Sequence, residues 1–384
     1  MVRIKQSLIN ERTARVLIQK YGSPLYVYRR RIVEKRYRNL LKAIRYPRTK
    51  IYYACKANAN KEILQLLKRL GASIECVSRG EVERAMSVGF PRNRISYTCS
   101  YIPREELAWV KKKVGSVHLD SLQQLQWWGE INPGSNVSLR VNRGFGAGAT
   151  RHIITGGPES KFGIYYTDLR KAQQIAERFN LKIIGLEQHI GSSILEPQTF
   201  IRAMSLLLKS AEGFPDLQFM DFGGGFGIPY RPNAKPLDIQ ALGKKMGKVF
   251  RDFCKKYGRE LELRIEPGRY IVAEAGTLLT TAVDRKQTPG HTFVGVDSGF
   301  SHLVRPAFYG SYHHIFNLSN PNGRKETVNV VGNLCESSDV FAKNRSIPKA
   351  RFGDILLFAD AGAYGYSMAS DYNLRPKPKE IVLQ

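Results

Sequence analysis

The sequence predicts an α/β protein: a (β/α)8 TIM-type barrel followed by a smaller β domain. Two observations carry this. Between residues 51 and 269, eight short β-prone runs alternate with helical patterns. That alternation is what a parallel barrel with an outer ring of helices requires. Beyond residue 270 helical periodicity fades and β-prone runs dominate. An open doubly wound sheet shares the alternation, so pattern alone leaves it standing.

In chain order, Pro24–Tyr28 is strand-like and expected to join one domain from a distance, and Val33–Ile44 reads as a helix. The barrel strand candidates are Ile51–Lys56, Ser73–Ser78, Ile95–Ser100, Ser116–Asp120, Val137–Asn142, Ile183–Ile190, Phe219–Gly224 and Leu263–Arg269. They are rich in Val, Ile, Tyr and Phe, and most are bounded by Gly, Pro or polar residues. Lys61–Leu70 carries Ile63, Leu64, Leu66, Leu67 and Leu70 at helical spacing and stops at Gly71; Glu81–Val88 stops at Gly89. Pro103 stands as a first-turn proline ahead of Glu105–Lys112. Ser121 or Asp120 caps Leu122–Trp128, and Thr167 or Asp168 caps Leu169–Phe179. Thr199–Ala211 and Ile239–Tyr257 complete the helices. The late β-prone runs are Tyr270–Val272, Thr277–Val283, Thr292–Val296, Thr327–Val331 and Ile355–Phe358. The expected division is residues 1–27 as a segment joining the β domain, 28–270 as the barrel and 271–384 as the β domain.

Composition excludes several classes. At 42% hydrophobic and 24% charged, the 384 residues are neither disordered nor collagen-like. No run of 18 apolar residues predicts a membrane span. Met1–Asn10 lacks an apolar core, so no secretory signal is expected and a cytoplasmic location is. Five scattered cysteines (Cys55, Cys76, Cys99, Cys254, Cys335) form no Cys-x-x-Cys pair, which argues against a disulfide framework and for a reducing compartment. The formal net charge is +27, and residues 1–50 hold 15 Lys and Arg against Glu11 and Glu34. Such charge attracts polyanions without regard to sequence. No nucleic-acid motif accompanies it, so the reading is a solvated basic surface with only non-specific polyanion binding.

Barrel enzymes carry their chemistry at the C-terminal ends of the strands. Lys56 ends the first strand behind Tyr52-Tyr53-Ala54-Cys55, where partial desolvation makes a usable amine; a surface lysine is the bland alternative. His189 ends the sixth, in His189-Ile190-Gly191-Ser192-Ser193. Its flat ring suits stacking on a ring cofactor, and Ser192 suits phosphate; a core histidine is the alternative. No other histidine shows ligand spacing with it, so no metal is expected. Asp221-Phe222-Gly223-Gly224-Gly225-Phe226-Gly227 ends the seventh. It fits neither the dinucleotide fingerprint nor a P-loop, and phosphate binding and a plain tight turn both account for it. Glu266-Pro267-Gly268-Arg269 ends the eighth: a carboxylate to keep a ring nitrogen protonated and a cation for an anion. In the β domain, Arg305-Pro306-Ala307-Phe308-Tyr309, Cys335-Glu336-Ser337 and Asp360–Tyr366 stand out. Taken together, a phosphate cradle, a lysine amine, a ring-stacking histidine and a carboxylate for a ring nitrogen match pyridoxal 5′-phosphate.

With these residues the sequence resembles the fold-type III pyridoxal-phosphate decarboxylases, most closely those acting on diaminopimelate. The resemblance runs from Tyr21–Tyr28 through Tyr53–Asn58, Arg140–Asn142, Ser160–Gly163, His189–Ser192, Asp221–Gly227, Glu266–Arg269 and Cys335–Ser337 to Ala361–Met368 and Tyr372–Pro376. It implies that Lys56 carries the cofactor, that His189 stacks on its ring and that Glu266 faces the ring nitrogen. Ser192, Gly225, Gly268, Arg269 and Tyr364 would surround the phosphate. Arg269, Arg305, Tyr309, Glu336 and Tyr364 would hold substrate, and Cys335 would be the proton donor. Cys335 and Glu336 would reach the site from a partner subunit, making a homodimer with shared active sites. The implied reaction converts meso-2,6-diaminopimelate to L-lysine and carbon dioxide. The alternatives are a sister decarboxylase of ornithine, arginine, carboxynorspermidine or a siderophore precursor, and a silent basic binding protein. This chain departs from the family pattern at Glu75, where Asp is usual, at Glu187, where His is frequent, and over Thr98–Arg104.

Overall fold

The computed structural model describes residues 9–98 and 100–384. Cys99, the last but one residue of the expected strand Ile95–Ser100, lies outside them. So do residues 1–8, which fall within the expected N-terminal segment.

Eight strands close a parallel barrel in chain order: Thr49–Ala54, Ser73–Cys76, Ile95–Thr98, Ser116–Leu119, Asn136–Asn142, Lys182–Glu187, Phe219–Asp221 and Glu262–Ile265. Each pairs with the next, and the last pairs back onto the first, Leu263 opposite Thr49. The closed ring excludes the open sheet. Helices fill the crossovers, and their apolar stripes face the barrel. In Lys61–Arg69 the buried side is Ile63, Leu64, Leu66 and Leu67, and Asn60 caps the start by accepting the N–H groups of Glu62 and Ile63. Of the offered caps, Ser121 is the one that accepts, from Gln124 N–H at 3.2 Å, whereas Asp168 makes no side-chain cap bond. Pro103 sits one place ahead of its helix, at the cap of Arg104–Val110.

The expected strands ran too far at their C-terminal ends. The first stops at Ala54, not Lys56; the sixth at Glu187, not Ile190; the eighth at Ile265, not Arg269. Beyond these points the backbone leaves the ladder and bonds to neighbouring loops, although its residues keep strand-like side chains. Tyr270–Val272 is a correction of type: Arg269–Val272 is a helical turn. Its Tyr, Ile and Val are buried all round, so β propensity yielded to packing.

The chain divides into two compact units. The barrel unit is Glu34–Ile228 with Pro236–Tyr270. The β unit draws on both ends of the chain: up to Val33, Pro229–Lys235 and Ile271–Gln384. Its long strand Gly276–Gln287 pairs antiparallel with Leu25–Arg29, Thr292–Val296 and Ile355–Phe358. Lys379–Leu383 runs parallel to Leu25–Arg29 on that strand's other edge. Lys325–Val331, Val340–Pro348 and Ile315–Asn317 extend the sheet. A helix unforeseen in the sequence, Glu11–Tyr21, lays Ala14 and Leu17 on a core of Leu25, Val27, Leu279, Ile355 and Leu357. Each such leucine or isoleucine contributes about 1.5–3 kcal/mol by leaving water. No helix among the described residues is long and apolar enough to cross a membrane. Cys55, Cys76, Cys254 and Cys335 are free thiols.

Candidate active site

The loops after the first, sixth, seventh and eighth strands are tied together at the C-terminal mouth of the barrel. Ala54 donates its N–H to Pro267 O, and Glu266 donates to Gly223 O at 2.8 Å. Gly224 N–H donates to the His189 ring at 3.1 Å. Arg269 Nη2 donates to Ser192 Oγ at 2.9 Å, and Nε to the same oxygen at 3.3 Å. Glycine makes this crossing possible. A Cβ at Gly224 would lie 2.3 Å from Glu266 O, and one at Gly268 2.7 Å from Ala57 Cβ. Gly225 also needs its left-handed φ of +99°. The mouth is thus lined by backbone and a few selected side chains.

Lys56 occupies the tight turn Cys55–Ala57 just past the first strand. Its Nζ lies 2.7 Å from Glu75 Oε2, with the lysine side chain 35% exposed and the glutamate 1%. The amine is reachable while its counter-ion is dry. His189 accepts at Nδ1, so its proton sits on Nε2 and the ring is neutral. Burial, helped by Lys56 and Arg140, holds its pKa well below the ordinary range. Glu266 is 5% exposed, and its Oε1 has no partner. Burial and the neighbouring Asp221, Glu75 and Glu187 push its pKa well above the usual carboxylate range. A buried acceptor without a donor is costly, and a cationic ring N–H is what it lacks.

Behind these groups lies a charged interior that the sequence reading did not assemble. Arg140 stands 3.6 Å from both Asp120 and Glu187. Glu187 is fully buried with neither oxygen in a hydrogen bond, and burial lifts its pKa to about 8. Glu75 and Glu187, two of the three departures from the family pattern, therefore belong to one cluster. A ring nitrogen of His118 and carboxyl oxygens of Asp221 and Glu266 lie within 4.8 Å of one another, all buried. Spacing along the chain hides that group, because it comes from the fourth and seventh strands and the turn after the eighth.

The remaining expected site residues lie in the β unit. Arg305 is buried, its Nη1 2.7 Å from His313 Nε2 and its guanidinium 4.6 Å from the Tyr230 ring centroid. Tyr309 ends the same short helix, Arg305–Tyr309. Cys335 and Glu336 sit on an exposed loop between two strands; Asn373 Oδ1 accepts the Cys335 N–H at 3.0 Å. Tyr364 adopts a left-handed φ of 57° in the glycine-rich segment.

Known proteins match this arrangement. Residues 30–273 match the pyridoxal binding domain of the pyridoxal-dependent decarboxylases. The diaminopimelate decarboxylase of Methanothermobacter thermautotrophicus is 40% identical, over 98% of this chain and 90% of its own length. That of Escherichia coli strain K12 is 36% identical, over 94% and 89%. The crystal structure of diaminopimelate decarboxylase from Helicobacter pylori complexed with L-lysine superposes with a TM-score of 0.89 at 31% identity, covering 96% of this chain and 94% of that one. This chain is therefore an enzyme of the pyridoxal-dependent decarboxylases and belongs to their diaminopimelate decarboxylase family.

Proposed function

We propose that this chain decarboxylates meso-2,6-diaminopimelate to L-lysine and carbon dioxide with pyridoxal 5′-phosphate bound at the barrel mouth. The observation that carries the reading is the meeting of Lys56, His189, Glu266 and the Arg269–Ser192 pair on four cross-linked loops. The cofactor fits these residues. Glu266 Oε1 lacks a donor, the glycine-built loops leave backbone at the surface, and Arg269 with Ser192 offers a cation and a hydroxyl to a phosphate.

Pyridoxal phosphate supplies, when bound, an electron sink for the pair left behind as the carboxylate departs. Lys56 Nζ is the amine that would hold the cofactor at its aldehyde carbon. The neutral His189 ring offers a flat face for stacking. Glu266 keeps a proton on the ring nitrogen. Ser192, Gly225, Gly268, Arg269 and Tyr364 bind the phosphate. Arg305, fixed by His313, holds the distal carboxylate with Tyr309, and Glu336 takes the distal amine. Cys335 Sγ delivers a proton to the carbon that has lost its carboxylate. Cys335 and Glu336 come from the partner subunit of a homodimer, and the free thiols suit a cytoplasmic setting.

The test is turnover of meso-diaminopimelate by the full chain with added pyridoxal phosphate, against ornithine, arginine and carboxynorspermidine. Carbon dioxide and L-lysine from diaminopimelate alone is the expected result. Faster release from another substrate overturns the assignment.

A further inference from the structure

The buried charges of the barrel interior do not balance until a carboxyl besides Glu187 is given a proton. Lys56 is committed to Glu75 at 2.7 Å. Arg264 pairs with Glu262 at 2.6 Å and lies over the Phe219 ring, and Lys50 reaches the same carboxylate from the solvated side at 2.5 Å. Arg140 is shared by Asp120 and Glu187. Asp221 and Glu266 are left without a cation of their own. A cofactor ring N–H serves one of them, Glu266. Two bare carboxylates this close in a dry interior repel strongly, so the other does not stay ionised.

Hydrogen bonding shows where that proton goes. Ser138 has one hydroxyl proton, and it donates to Val117 O at 2.6 Å. The 2.9 Å contact between Ser138 Oγ and His118 Nδ1 must then run the other way, with Nδ1–H donating. This leaves Nε2 of neutral His118 as a bare acceptor. It is fully buried and without a partner. Asp221 uses Oδ1 to accept the Gly223 N–H at 3.0 Å, and its Oδ2 is equally buried and unpartnered. A ring nitrogen of His118 and a carboxyl oxygen of Asp221 lie within 4.8 Å of one another, and each residue has a buried acceptor with no donor.

We infer that Asp221 is a neutral carboxylic acid whose Oδ2–H is held by His118 Nε2, directly or across one water, so that Glu266 alone presents negative charge to the cofactor's ring nitrogen. Asp221 and His118 are positioning residues: they act through Glu266. The surroundings agree. Burial lifts Asp221 to about 7, with Glu75 and Glu262 raising it against Arg264 and the Gly223 N–H. Burial with Arg264 and Arg140 pulls His118 down to about 3, so the proton does not settle on the imidazole. The Asp-Phe-Gly-Gly-Gly segment thereby gains a purpose for its first residue that a phosphate cradle does not supply.

This inference rests on pyridoxal phosphate binding, and the experiment separates the two. Loss of visible cofactor absorbance in the wild-type chain would defeat the cofactor reading itself. If wild type loads, Asp221→Asn is the test, because an amide keeps both hydrogen bonds of a neutral acid. Asp221→Asn is expected to bind the cofactor within about twofold of wild type, with the same absorbance profile across neutral pH. The protonated-carboxyl infrared absorbance is expected to lose one component in the variant, the Asp221 one, while that of Glu187 remains. No change in that absorbance, or a loss of cofactor affinity of about tenfold (about 1.4 kcal/mol), overturns the assignment. A second reading needs no variant. Nitrogen-15 shifts of His118 should report an Nδ1–H tautomer in the loaded wild-type enzyme; an Nε2–H tautomer or an imidazolium overturns the inference.

Discussion

Two ion pairs of similar length belong to very different parts of the barrel unit. Arg38 meets Glu34 at 2.9 Å on a solvated helix face, with side chains 56% and 37% exposed. Lys56 meets Glu75 at 2.7 Å, where Glu75 is almost wholly enclosed. The first is one of several pairs a helical turn apart, each worth about 0.3–0.5 kcal/mol. The second lies in an interior whose buried acids, Glu75, Asp120, Glu187, Asp221, Glu262 and Glu266, outnumber its buried cations, Arg140 and Arg269. A chain of net charge +27 thus wraps an acidic interior in a basic shell. Net charge describes the shell, where water screens each group. The chemistry depends on the interior, which contributes little to that sum.

The largest break in this contrast is Lys56→Ala. Turnover and visible cofactor absorbance should both fall to background, and full activity in the variant would remove Lys56 from its role. Mixing Lys56→Ala with Cys335→Ala enzyme and allowing subunits to exchange should restore roughly a quarter of the activity, because each hybrid dimer keeps one intact site. No recovery would mean that each chain completes its own site. Next in size is Glu266→Gln, which keeps shape and removes charge. It should lower kcat about 10²-fold, the scale of losing one preorganised charge beside a developing one. A kcat unchanged by this substitution would separate Glu266 from the ring nitrogen.

Glu187→Gln sharpens the contrast through pH. With Glu187 held up at about 8, the folded chain keeps a proton that the unfolded chain has already released. This group's contribution to stability is therefore complete below the ordinary carboxylate range. It is lost as pH rises through about 8, by no more than about 1.4 kcal/mol per pH unit. Denaturant unfolding of the cofactor-free protein should show that slope, and Glu187→Gln should flatten it. An unchanged slope would place the proton on another group. The smallest effect is expected outside. Glu34→Gln should change stability by less than about 0.5 kcal/mol in the same unfolding measurement.

The barrel is legible in the sequence because its strands are short and β-prone, and most are bounded by Gly, Pro or polar residues. All eight runs are strands, in the expected order. Lys56, His189, Glu266 and Arg269 stand out as candidates for a related reason: each closes a β-prone run, and proline or glycine adjoins Glu266 and Arg269. Glu75 and Glu187 were visible as departures from a pattern, but not as neighbours. In a run such as Ser73-Ile74-Glu75-Cys76, a polar residue alternates with apolar ones, and period two does not distinguish a barrel lumen from solvent. All four of these residues are buried. In the β unit, Val340–Pro348 escaped notice because Lys343-Asn344-Arg345-Ser346 carries little β propensity, and Asn344 bends the strand with a left-handed φ of 48°. Lys379–Leu383 gains its place from a partner strand hundreds of positions away, which no local window contains.

That last pairing also orders events in time. Leu25–Arg29 leaves the ribosome early, yet both its partners, Gly276–Gln287 and Lys379–Leu383, come late, the second with the final residues of the chain. The barrel's strands, from Thr49 to Ile265, are all made in between. During synthesis the barrel can close while the β unit still waits for its last strand. The early strand meanwhile presents two open edges, so a chaperone or a neighbouring nascent chain has its longest opportunity there.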